Sequence, residues 1–157
     1  MDCKTRLEQY FRDNGVGFQI MTHPTAYTAQ ELAAAQRVPG KQVAKVVMAL
    51  ADGKIVMLVM PASFRIDFAK IRDALGAKEA RLAKEKEFSD LFPDCDVGAM
   101  PPFGNLYSVP VYVDRALADD GEIVFQAGTH QDTMKIAYQD YARLAQPIVA
   151  DFAMHLQ

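Results

Sequence analysis

Apolar residues recur along the chain at two spacings, and the switches between them mark its elements. Leu7, Tyr10 and Phe11 fall at helical spacing before Asn14 and Gly15 break it, which predicts a short amphipathic helix at the start. Phe18 to Met21 reads as a strand. Thr28-Ala29-Gln30-Glu31 has the form of a capping box, in which a hydroxyl and a carboxylate satisfy each other's orphan donors, and predicts a helix over Ala29 to Gln36. Two β-rich runs, Gln42 to Leu50 and Lys54 to Met60, flank Ala51-Asp52-Gly53, whose last two residues tolerate the backbone angles of a tight turn. Asp67 can cap a helix over Phe68 to Leu75 that Gly76 ends, and the charged stretch Lys84 to Phe92 predicts another, stopped by Pro93. Val97 to Gly104 is rich in proline and glycine and forms a shaped loop. Pro110 to Val113, Ile123 to Gln126 and Thr133 to Ala137 read as strands, and Tyr138 to Ala145 as a closing helix. The strands outnumber the helices between them, so the expected class is α+β, a mixed and largely antiparallel sheet with helices outside it.

The 157 residues, half of them hydrophobic, suffice for one sizeable core and suggest a single domain over 1–157. A net charge of -3 argues against a protein that coats DNA or any long nucleic-acid backbone, since that binding needs many cations. The apolar runs Val46 to Ala51 and Ile55 to Ala62 fall short of the roughly 20 residues of a membrane crossing. The N-terminal residues alternate charged and apolar and lack the apolar stretch of a signal peptide. Cys3 and Cys95 lie far apart without CxxC spacing, and the histidines lack metal-ligand spacing, so neither a disulfide framework, a metal nor a cofactor is expected. A reducing cytoplasm fits.

Lys45 interrupts an apolar strand and, by alternation, shares a face with Val43, Val47 and Ala49. One reading is an edge-strand lysine that discourages aggregation. The other is a cation in a polar pocket, placed to hold a phosphate or a developing oxyanion. The glycines of Gly98-Ala99-Met100-Pro101-Pro102-Phe103-Gly104 let backbone N–H groups approach a ligand, or serve only to connect strands. Gly128-Thr129-His130 follows a strand and puts a histidine at its end. His23, beside Pro24, reads on its own as a turn residue. Cys95 stands between Asp94 and Asp96, whose charges disfavour a thiolate. The cluster Lys78, Arg81, Lys84 and Lys86 reads as a solvated face or an RNA-backbone contact. No serine elbow, dinucleotide fingerprint or P-loop is present.

The ordered set of His23-Pro24 with Tyr27 and Thr28, Lys45 in its apolar strand, Gly98-xxx-Pro102 running into Phe103-Gly104, and Gly128-Thr129-His130 resembles the YbaK/EbsC (ProX) family of aminoacyl-tRNA deacylases. That family includes the editing domain inserted in many bacterial prolyl-tRNA synthetases. The resemblance spans nearly the whole chain and implies a curved mixed sheet around a pocket. It implies catalytic positions at Lys45, Gly98 and His130. It also implies substrate-binding positions at His23, Tyr27, Thr28, Pro101, Pro102, Phe103, Gly104, Gly128 and Thr129.

The activity so implied is free-standing hydrolysis of the ester that joins a small amino acid, of the alanine, cysteine, serine or threonine class, to tRNA. The partners so implied are the tRNA acceptor end, met transiently, and a synthetase. The ester is already activated by its neighbouring groups, so positioned water and a stabilised oxyanion suffice without a covalent intermediate. In some relatives the substrate's own thiol attacks instead, and that route stays open. The rivals are a non-catalytic module of the same fold that binds tRNA ends, nucleotides or a synthetase, and a small-molecule esterase using the same pocket.

Overall fold

The computed structural model describes residues 2–22, 42–119 and 121–155. The helix expected at Ala29 to Gln36 and its capping box lie outside these residues. Helix α1 (Cys3–Asp13) starts on an Asp2 cap that accepts the Thr5 N–H, and buries Cys3, Leu7 and Phe11. Strand β1 (Gln19–Thr22) follows.

Strands β2 (Ala44–Ala51) and β3 (Lys54–Pro61) form the expected hairpin, with Ala51 opposite Lys54. The two-residue turn needs positive φ at Asp52 (50°) and Gly53 (81°), which Asp tolerates and Gly adopts freely. Strand β4 (Phe64–Ile66) leads into α2 (Phe68–Leu75), whose bounds match the sequence reading. Asp67 caps its first turn through the Ala69 and Lys70 N–H groups, and Gly76 ends it at φ 64°.

Beyond β5 (Ala80–Leu82), the helix expected over Lys84 to Phe92 is confined to α3 (Glu85–Phe88) and a 3-10 turn at Ser89–Leu91. Burial of Phe88 and Phe92 against the core fixes that bend. The later elements are β6 (Val111–Asp114), α4 (Arg115–Ala118), β7 (Glu122–Gln126), β8 (Asp132–Ala137), α5 (Tyr138–Ala145), β9 (Ile148–Ala150) and β10 (Ala153–His155).

A five-stranded sheet in the order β5-β2-β3-β6-β9 is antiparallel across β5, β2 and β3 and parallel across β3, β6 and β9. An antiparallel sheet β1-β8-β7 and a ribbon β10-β4 complete the set. The fold is therefore the mixed α+β class expected, with antiparallel pairings in the majority.

Alternation along β3 divides the interior. Met57 and Val59 join a large core with Phe11, Phe103, Phe125 and Tyr141, whereas Val56, Leu58 and Met60 join a smaller one with Ile71 and Phe152. A parallel bridge between Val43 and Val124 ties the five-stranded sheet to β7. Among the described residues no helix is long and apolar enough to cross a membrane.

Candidate functional site

Lys45 opens β2 opposite Met60, on the face of Val47 and Ala49 as alternation requires. It is half-buried and donates to the Phe64 carbonyl at 2.6 Å, and burial lowers its pKa below the ordinary lysine value. Among the described residues no ion pair compensates it. β5 covers β2 only at Ala49–Ala51, so Lys45 lies on the stretch that runs past β5 towards β7.

The two glycine-bearing turns are held together. Gly128 N–H donates to the Ala99 carbonyl at 2.9 Å, and Asp96 N–H donates to the Gly128 carbonyl at 2.7 Å. His130 Nε2 lies 3.0 Å from the Val97 carbonyl. A carbonyl only accepts, so Nε2 carries the hydrogen of this bond. A Cβ built on Gly98 would stand 3.4 Å from His130 Cε1. Gly98 (φ 85°) and Gly128 (φ 93°) both occupy the left-handed region that glycine favours. Gly98 N–H turns to the Met100 thioether at 3.3 Å, a weak acceptor.

Thr129 shapes the β7–β8 connection. Its hydroxyl accepts from the Gln131 and Asp132 N–H groups and donates to the Asp132 carboxylate at 2.8 Å.

Pro101, Pro102, Phe103 and Gly104 are buried. Phe103 stacks edge-on with Tyr10, Phe11, Phe125 and Tyr141 in the large core. A Cβ on Gly104 would come within 2.8 Å of the Val109 carbonyl, so packing alone accounts for that glycine. His23, Tyr27 and Thr28 lie outside the described residues.

The structure thus brings Gly98 and Gly128–His130 into contact. Among the described residues no hydrogen bond joins Lys45 to either turn. Topology relates them instead: from the Val43–Val124 bridge, β2 and β7 run in one direction, towards Lys45 and towards Gly128. At strand rise, Lys45 is roughly 7 Å beyond the bridge and Gly128 roughly 13 Å.

Gln126, two residues past Val124, falls on the Lys45 face. The sequence offered only one signal for it, a polar residue closing an apolar strand. Hollows of about 350 Å³ open at the far end of β2, beside Asp52 and Arg81 and beside Lys54 and Tyr112. They carry none of the expected site residues. The lysine cluster there is partly neutralised, because Arg81 grips Glu87 with two 2.8 Å bonds and holds its carboxyl at about 2. Among the described residues no group of His, Cys, Asp and Glu could hold a metal ion.

The mixed sheet thus carries a half-buried lysine, and two glycine-bearing turns are hydrogen-bonded to each other beside it in the fold. The chain belongs to the aminoacyl-tRNA editing domain family, whose model matches residues 23–144. It is 26% identical over 152 residues to the multifunctional Ser/Thr-tRNA deacylase ProXp-y of Escherichia coli K12, covering 94% of this chain and 90% of that one. It is 29% identical over 132 residues to a proline–tRNA ligase of Leuconostoc citreum, covering 82% of this chain but only 23% of the ligase. A crystal structure described as a trans-editing enzyme for prolyl tRNA synthetase superposes with a TM-score of 0.83 at 22% identity, covering 98% of each chain. The enzyme class expected from sequence, an aminoacyl-tRNA deacylase, is the class to which this family corresponds.

Proposed function

We propose that the chain is a trans-editing enzyme of the cytoplasm that hydrolyses the ester between tRNA and a small amino acid of the alanine, cysteine, serine or threonine class. The observation that carries this reading is the half-buried Lys45 ammonium, which lacks a carboxylate among the described residues. Opposite charges 4 Å apart attract by about 1 kcal/mol in water and about 4 kcal/mol at the effective dielectric near a protein surface. An anion beside Lys45 offsets the cost of its burial. In this role Lys45 holds the terminal phosphate or the oxyanion of the tetrahedral intermediate.

In this reading Gly98 N–H serves the same oxygen, exchanging its weak thioether acceptor for an anion. Gly128 to His130 shapes the amino-acid pocket, and His130 orients water. The likeness to a Ser/Thr-tRNA deacylase over 90% of its length supports a substrate of that size. Discrimination then rests on pocket size and on polar groups that a small side chain satisfies.

The partner is the tRNA acceptor end, bound transiently because the chain is acidic. A synthetase is the partner that raises this affinity.

The test is deacylation over a panel of alanyl-, cysteinyl-, seryl- and threonyl-tRNA beside a simple alkyl ester. Turnover confined to one or more aminoacyl-tRNAs is expected. Binding without turnover, or turnover of the alkyl ester alone, contradicts the proposal.

A further inference from the structure

Two thiols remote in the chain meet beside the interlocked glycine turns. Cys3, on the first turn of α1, is buried, and Cys95, three residues before Gly98, is half-buried; both are free. Tyr107 Oη stands 3.3 Å from Cys95 Sγ and 3.6 Å from Cys3 Sγ, and donates to the Asp94 carboxylate at 2.9 Å. The main chains already touch, since Cys3 N–H donates to the Asp94 carbonyl at 3.2 Å. That contact and the shared Tyr107 hydroxyl hold the two cysteines as close neighbours, the arrangement a disulfide requires. On its other side Cys3 presses on the site: a Cβ on Gly128 would stand 2.4 Å from Cys3 Cβ and 2.7 Å from its Sγ.

The thiols also differ in acidity. A hydrogen bond from Cys95 lowers the Cys3 pKa, helped by Tyr107 and the Arg6 charge. The same contact, with burial, raises Cys95. Of the pair, Cys3 is therefore the thiol that ionises first and Cys95 the one that keeps its proton. Chain distance and the flanking aspartates argued against both cysteines in the sequence; proximity to each other supplies what neither has alone.

We propose that Cys3 and Cys95 are a peroxide-responsive pair whose reversible disulfide acts on the glycine-turn site. Cys3, the thiol of the pair that loses its proton first, attacks one peroxide oxygen as the thiolate. The O–O bond breaks, the departing hydroxide takes up the proton that Cys3 released and leaves as water, and Cys3 becomes a sulfenic acid. The Cys95 sulfur then attacks the Cys3 sulfur, the S–S bond forms, the S–O bond breaks, and the departing hydroxide takes the Cys95 thiol proton and leaves as the second water. The two thiols lose two electrons and two protons, which the peroxide takes up. The bond fixes α1 to the segment leading into Gly98 and draws on the Cys3 side chain packed against Gly128.

The experiment treats the full chain with dilute hydrogen peroxide, blocks residual thiols, and records intact mass and non-reduced peptides. The expected result is loss of two hydrogen masses, a peptide linking Cys3 to Cys95, and reversal by dithiothreitol. In Cys95→Ser, whose half-buried position accommodates a hydroxyl, the linked peptide is absent. The His130 ring resonance, assigned against His130→Gln, moves on oxidation of the parent and stays in place in Cys95→Ser. Unlinked thiols after peroxide, or separate oxidation of each cysteine to sulfinic acid, overturns the disulfide. A linked pair with an unmoved His130 resonance overturns its action on the site. None of these readouts uses deacylation, so they stand or fall apart from the editing assignment.

Discussion

Replacing Gly128 by alanine probes the packing that sets the two turns against each other. The added Cβ would lie 2.4 Å from Cys3 Cβ and 2.7 Å from its Sγ, where relaxed carbon contacts lie at about 3.5–4.0 Å. Cys3 cannot withdraw, because it is 2% exposed and its N–H is tied to the Asp94 carbonyl. Overpacking of this kind costs about 1–3 kcal/mol. A non-glycine residue at φ 93° adds strain of about 1–3 kcal/mol. The sum, about 2–6 kcal/mol, is a large share of a domain stability of roughly 5–15 kcal/mol. Urea unfolding of Gly128→Ala should show a lowered midpoint at unchanged slope. Gly17→Ala is the control, since an added Cβ there meets nothing within 4 Å at an ordinary φ, and its midpoint should hold or rise. A Gly128→Ala unfolding free energy within about 1 kcal/mol of the parent's would refute the packing argument.

Asp114 is 4% exposed and accepts the N–H groups of Ala116, Phe152 and Ala153 at 2.9–3.0 Å. Asp114→Ala leaves these donors unpaired and should cost about 3–5 kcal/mol in urea unfolding, with Asp114→Asn recovering part of it. Among the described residues, the Tyr141 hydroxyl is buried without a hydrogen-bond partner, so Tyr141→Phe should be neutral or raise the melting temperature. Glu87 is held at about 2 against an ordinary 4.5, first by its Arg81 bonds and then by the Lys84 N–H. Its folded pKa is depressed, so its contribution is present above 4.5 and fades as pH falls towards about 2. The unfolding midpoints of parent and Glu87→Gln should therefore converge over that window, and a gap that persists below it contradicts the pairing.

The elements legible in the sequence are those with strong local punctuation. The β2–β3 hairpin has Asp52-Gly53 at its turn, and α2 has Asp67 before it and Gly76 after it. The three-residue strands β4, β5, β9 and β10 were not legible, because such short runs are defined by partners far along the chain. Lys84 to Phe92 carried helical charge patterning, but burial of Phe88 and Phe92 overrode it. Lys45 was conspicuous as a charge in an apolar run, whereas its Phe64 carbonyl partner belongs to one of those unread strands. Phe103 and Gly104 stood out with the loop motif, yet the aromatic core and the Val109 carbonyl that hold them come from residues the motif does not contain. The meeting of Cys3 with Cys95 likewise depends on α1 docking beneath the loop, which no local spacing encodes.

The most direct measurement is the single-turnover rate at which Lys45→Ala deacylates the best aminoacyl-tRNA of the panel, compared with the parent at equal fold stability. Loss of a cation that acts on the transition state predicts at least a tenfold fall, about 1.4 kcal/mol of stabilisation. An unchanged rate in that variant would remove the ammonium on β2 from the chemistry and contradict the account.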